Sequence, residues 1–305
     1  MKPYFFRSWI LLFMLYLVSI GGCGKKEPTV LILYCSTIHM PVAIEFAGNY
    51  RKTYGIYVQC LPIDKYEGLS NDPPILTPEE IEKLIKEKKL EEMPDAPNPV
   101  QEERLKKWVE NSASKDFALF LMDNRHGDIY LCDSIYDKER LTESGVAVQG
   151  NVVAYLLPAM LVPQGNPNSL FSIADVLDSG RKLGIVHPES SGIGFETDRL
   201  MKLHPELLEK YKESGNIVVY DSQLMLLHAF EQGEIDAAVC WDQAGNRLGS
   251  GATIVRFDRA DYAATEFTAL SLSTGSHFNE SELFGKFLKS DVGKKVLEKF
   301  GYSVR

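Results

Sequence analysis

Basic residues are outnumbered along this chain: 33 Lys and Arg stand against 42 Asp and Glu, a formal net charge of −9. Proteins grip nucleic-acid phosphates with Lys- and Arg-rich surfaces, so nucleic acid is not an expected partner. Catalytic signatures are missing as well, with no Gly-x-Ser-x-Gly elbow, no P-loop and no His-Glu-x-x-His. The six histidines (39, 126, 187, 204, 228 and 277) show no metal-ligand spacing, and Ser36 with His39 has no evident orienting acid. These absences point away from an enzyme, a directly bound metal and a cofactor. Cysteine is scarce, five in 305 residues, and no two form a Cys-x-x-Cys pair, which argues against zinc or dithiol redox chemistry. Cys35, Cys60, Cys132 and Cys240 end apolar runs and read as small buried thiols, with one disulfide as the alternative.

No apolar run reaches the roughly 20 residues needed to span a bilayer. The longest, Trp9 to Ile20, follows Lys2 and Arg7 and fits the core of a signal peptide over residues 1–22. The ending Ile20-Gly21-Gly22-Cys23 resembles the lipobox of bacterial lipoproteins. That resemblance implies lipidation of Cys23, a tether over 23–28 and an extracytoplasmic domain held to a membrane by acyl chains.

From Thr29 onward short apolar runs bounded by turn residues alternate with helical patterns. "TVLILYC", "GIYVQCL", "GDIYLCD", "NVVAYLLPAMLVP", "KLGIVHP", "NIVVYD" and "DAAVCW" read as strands. Such alternation predicts an α/β fold built on parallel sheet. One stretch, about 62–111, breaks it with two charged helical patterns and reads as an insertion. Its first helix has Thr77 as N-cap, Pro78 at the first helical position and Glu80 closing a capping box. The second carries Leu105, Trp108 and Val109 on one face.

The order "LYCST", "KTYGIYV", "GDIYLCD", "VPQGNP", "HPESSGIGFETDRLM", "FEQGEIDAAVCWD" and "FGYSVR" resembles the periplasmic molybdate-binding proteins. These are type II solute-binding proteins of ABC importers, and the likeness covers most of Thr29 to Arg305 outside the insertion. It implies a two-lobed fold with sheets flanked by helices and two crossing hinge strands. Lobe one would span 29–149 plus 264–305 and lobe two 150–263. It also implies a monomer that binds a molybdate- or tungstate-like tetrahedral oxyanion and docks on a permease and its ATPase. Position by position, the resemblance places ligand contacts at Ser36, Ser114 (Ser112 as the alternative), Ile193, Gly194, Gln223 and Trp241. Thr37, Ser191 and Ser222 stand beside them. Trp241 replaces the family's tyrosine, and Asp242 next to it would repel an anion if it faced the cleft.

Elementary chemistry leads to the same places. The start of a helix leaves N–H groups unpaired and carries about half a positive charge, so it attracts anions without any cationic side chain. Ser36, Ser114, Ser190-Ser191-Gly192 and Ser222 each precede a helical pattern, and in an open α/β sheet such helix starts gather at the carboxyl edge of the strands. The competing reading is plain capping, worth about 1 kcal/mol per serine and involving no ligand. Other classes remain open: the same fold holding ferric ion or another anion, or an interaction or sensing lipoprotein.

Overall fold

The computed structural model describes residues 29–63, 127–188, 190–258 and 264–304. The proposed signal peptide, Cys23, the 62–111 insertion from residue 64 onward and Ser114 lie outside them. No helix among the described residues is long and apolar enough to cross a membrane.

Two five-stranded sheets organise the chain. The first has the order β2-β1-β3-β10-β4, from β1 (Val30–Cys35), β2 (Tyr57–Pro62), β3 (Ile129–Cys132), β4 (Ala147–Leu156) and β10 (Thr265–Leu272). The second runs β7-β6-β8-β5-β9, from β5 (Pro158–Pro163), β6 (Leu183–Val186), β7 (Ile217–Tyr220), β8 (Ala237–Trp241) and β9 (Ala252–Arg256). Parallel pairing holds for β1 with β2 and β3, and for β6 with β7 and β8. β10 and β5 run antiparallel to both of their neighbours, so each sheet is mixed.

The reason is connectivity. β4 stays paired with β10 as far as Leu156, and after Leu157 the chain re-enters as β5 of the other sheet. "NVVAYLLPAMLVP" is therefore two strands meeting at a hinge, and the lobe boundary expected at 149/150 falls inside β4. The chain returns from β9 to β10, two strands that the sequence reading passed over. "ATIVR" borders a Gly-Ser-Gly turn, and "TEFTALSL" mixes polar and apolar residues without a clean alternation.

β1 shows how sequence sets the layers. Leu31, Leu33 and Cys35 face one core with Phe46 and Tyr50 of α1 (Met40–Tyr54) and Phe284 and Phe287 of α8 (Phe278–Leu288). Ile32 and Tyr34 face the opposite core with Tyr130, Cys132, Leu141 and Leu270. A strand buried on both faces reads as a continuous apolar run, which is why "VLILYC" was legible. Asp128 is structural: its buried carboxylate accepts the Ile32 N–H at 2.8 Å and the His277 N–H at 3.0 Å. Gly127 before it has φ +111°, and a Cβ there would lie 2.4 Å from the Tyr34 ring. All four described cysteines are free thiols, and burial pushes Cys60 up to about 12.

Candidate functional site

The carboxyl ends of β1 and β3 lie side by side, Cys35 pairing with Leu131. This register sets the Ser36–His39 turn beside Asp133. Both are nearly sealed from solvent, Ser36 at 6% exposure, Asp133 at 5% and His39 at 0%. His39 Nε2 lies 3.1 Å from Asp133 Oδ2, and its Nδ1 lies 2.6 Å from the Tyr302 hydroxyl. Burial foremost, with the nearby Cys35 and Asp133 adding to it, holds the Tyr302 hydroxyl protonated well above the usual phenol range. A protonated Tyr302 can donate to Nδ1, and in that tautomer the His39 Nε2–H donates to the carboxylate.

The second lobe closes on this group. Trp241, at the end of β8 and wholly buried, donates its Nε1–H to the same Asp133 Oδ2 at 3.1 Å. Helix α4 (Gly192–Leu203) presses its first residue onto Asp133: a Cβ on Gly192 would sit 2.1 Å from the Asp133 carbonyl oxygen. Helix α6 (Gln223–Glu231) packs on the 37–39 turn. At the rim, Tyr136 and Phe195 stack across the gap with centroids 5.7 Å apart. These contacts describe two lobes closed over one polar cluster.

The site residues named from sequence separate into distinct roles. Ser191 and Ser222 are N-caps, accepting the Gly194 N–H at 3.2 Å and the Met225 N–H at 3.3 Å. Gly194 thus commits its N–H to the cap, and its absent side chain faces the His187 carbonyl within the second lobe. Ile193 is fully buried and offers only its N–H. The N–H groups of Gly192 and Ile193, and those of Gln223 and Leu224, find no acceptor among the described residues. Ser36 makes no capping bond. Gln223 is 2% exposed, yet neither Oε1 nor Nε2 has a partner among the described residues. Thr37 sits in the cleft turn beside Ser36, and Ser114 lies outside the described residues.

Asp242 does not face the cluster. Burial raises its carboxyl above the usual range, against the Leu157 N–H and Arg256, whose guanidinium is 4.0 Å away. The carboxylate in the cleft is Asp133, which sequence reasoning missed along with Tyr302; His39 was named there only without an acid partner, and Gly192 only as part of a helix start. Its position just past an apolar strand next in the sheet to Ser36's strand was the available signal. Asp133 also supplies the acid that Ser36 and His39 lacked in sequence. Both ring nitrogens of His39 are nevertheless taken, by Tyr302 and Asp133, so none is left to deprotonate Ser36.

Residues 101–303 match the family model described as bacterial extracellular solute-binding protein. No curated relative matches the chain in sequence. In fold it is similar to the periplasmic molybdate-binding protein of Azotobacter vinelandii, at 13% identity and TM-score 0.63, covering 90% of this chain and 99% of that one. It is also similar to the sulfate-binding protein SubI of Mycobacterium tuberculosis, at 14% identity and TM-score 0.63, covering 90% and 86%. A periplasmic thiamin-binding protein matches at 12% identity and TM-score 0.64, covering 92% and 85%. At these identities the likeness is one of fold, the two-lobed type II arrangement. With more than half its length matched, the chain belongs to the bacterial extracellular solute-binding proteins, a family of binding proteins rather than enzymes.

Proposed function

We propose that this protein is a lipid-anchored receptor, tethered through Cys23, that binds a small tetrahedral oxyanion between its lobes and presents it to a permease and ATPase. The observation carrying the ligand class is the pair of helix starts, α4 and α6, on the face of the second lobe that closes on Ser36 and Asp133. Each has two N–H groups without an acceptor among the described residues, and the positive end of a helix dipole favours an anion there. Ser36 would add a hydroxyl from the first lobe, with Ser114 a second candidate from sequence. Closure takes the ion out of water, where charge-assisted hydrogen bonds to oriented dipoles are stronger than neutral ones.

A thermal-shift panel with phosphate, sulfate, molybdate, tungstate and ferric ion tests the ligand class. An ion at about a hundred times its Kd adds roughly 2.7 kcal/mol, which raises Tm by about 4–5 °C in a chain of this size. A shift with ferric ion alone, or with none of the oxyanions, removes the reading. Anchoring is tested separately: Cys23→Ala should release the protein from the membrane fraction of a bacterial expression host, and membrane retention in that variant would refute it.

A further inference from the structure

Two contacts between the lobes lie one helical turn apart. In the first lobe, Asp133 ends the approach from β3 and Tyr136 stands three residues on, in the first turn of α2 (Ile135–Glu143). In the second lobe, Gly192 and Phe195 have the same spacing in the first turn of α4. Gly192 packs on the buried Asp133 carbonyl, and at the rim Phe195 stacks on Tyr136 with an interplanar angle of 19°. Arg140, one turn along α2, lies over the Tyr136 ring, 5.3 Å from its centroid, and steadies it. Tyr136 is nevertheless 48% exposed, and neither ring belongs to the hydrophobic core of its lobe. Among the described residues, no hydrogen bond or ring contact ties either one to the His39, Asp133 and Trp241 cluster. The two rings come from opposite lobes, so they stack only while the lobes are shut, and opening returns both faces to water.

We propose that Tyr136 and Phe195 form a clasp at the mouth of the cleft that sets how slowly the solute leaves, without taking part in choosing it. This rests on the receptor reading above, but not on the class of solute. A stacked aromatic pair favours the state that contains it by about 3- to 10-fold beyond the area it buries. The pair closes after the solute has entered, so that factor falls on the release rate and leaves entry nearly unchanged. Because the rings act on the closed arrangement itself, the same factor multiplies the affinity for every solute and biases the lobes toward closure before one arrives. Tyr136 and Phe195 are positioning residues in this account, and the recognition chemistry stays with the cluster beneath them.

The test is calorimetric titration and stopped-flow dilution, followed in tryptophan emission, of wild type, Tyr136→Ala, Phe195→Ala, the double variant and Tyr136→Phe. The probes are inorganic phosphate, sulfate, molybdate and tungstate. Each alanine variant should release a bound ion about 3- to 10-fold faster and bind it more weakly by the same factor, with entry changed by less than about twofold. The double variant should be no worse than either single one, because either loss removes the whole stack. Tyr136→Phe keeps the ring and should release at the wild-type rate. The order of affinities among the ions should be the same in every variant. Wild-type release in both alanine variants would overturn the clasp, as would additive losses in the double variant, a changed order of ions, or release from Tyr136→Phe as fast as from Tyr136→Ala. Without ligand, every variant should melt within about 2 °C of wild type, and a larger fall would assign the rings to the folding of a lobe and overturn the clasp too. Failure of all four ions to bind would remove the oxyanion reading alone. Small-angle scattering of the unliganded proteins would then decide: Tyr136→Ala should have a larger radius of gyration than wild type, and equal radii would overturn the clasp.

Discussion

Gly192 and Gly194 are two residues apart on one helix, yet substituting them should have opposite consequences. A Cβ on Gly192 lands 2.1 Å from the Asp133 carbonyl oxygen, in the other lobe. That is more than about 1 Å inside van der Waals contact, and a backbone oxygen cannot swing aside. Gly192→Ala therefore obstructs closure. Overpacking of this kind costs about 1–3 kcal/mol, and because only the closed form suffers it, the cost appears as a roughly 5- to 150-fold loss of ligand affinity. The lobes themselves are untouched, and alanine in a helix is favoured over glycine by up to about 1 kcal/mol. The Tm without ligand should hold or rise slightly. A Cβ on Gly194 lands 2.2 Å from the His187 carbonyl within the second lobe, so Gly194→Ala damages the folded lobe and should lower Tm by on the order of 5 °C. Titration calorimetry and thermal melts on both variants decide the matter. If Gly192→Ala binds within about threefold of wild type and melts early, the α4 contact is not a closure contact and the reasoning fails.

Three further outcomes follow from the same cluster and the cores behind it. Ser36→Ala should weaken oxyanion binding by roughly 1.5–3 kcal/mol, the worth of one hydrogen bond to a charged group, with Tm little changed; equal affinity in calorimetry would place the ion elsewhere. Trp241→Phe leaves the Asp133 carboxylate one donor short in the closed form and should weaken ligand binding by about 1–3 kcal/mol in calorimetry; unchanged affinity would show that this bond does not hold the lobes closed. Burial raises the Cys132 and Cys240 thiols, and Cys60 up to about 12, so the native state holds protons that the unfolded chain releases near pH 9. Stability is then fully present below pH 9 and falls as pH rises toward those raised values, by about 1.4 kcal/mol per pH unit per thiol. Urea midpoints that stay flat between pH 8 and 10.5 would contradict that burial.

Sequence reading reached those parts of the fold where local chemistry and tertiary role coincide. β1, β3, β6 and β8 are short apolar runs because both of their faces are covered, and Ser191 and Ser222 precede helices because their side chains cap them. The hinge at Leu157 was hidden because β4 and β5 are equally apolar on either side of it. β9 and β10 were hidden because β9 directly follows a Gly-Ser-Gly turn and β10 mixes polar and apolar residues without a clean alternation. At the site, Trp241 and Ser36 were legible as positions, but the carboxylate they surround was not. Asp133 next to Ser134 reads as an ordinary turn into the helix at Ile135–Glu143, and Ser134 does cap that helix. Nothing in the linear chain says that Asp133 meets His39, 94 residues away, and Trp241, 108 residues away.

Trp241 offers the most direct test of the claim that the interlobe cluster is the solute site. The chain has three tryptophans, Trp9, Trp108 and Trp241, so a Trp9→Phe, Trp108→Phe variant leaves the cleft indole as the sole emitter. Its fluorescence should change saturably on titration with the oxyanion that raises Tm most in the panel, at the same Kd that calorimetry gives. Calorimetric binding with no change in Trp241 emission would place the ligand outside the cleft and contradict the claim.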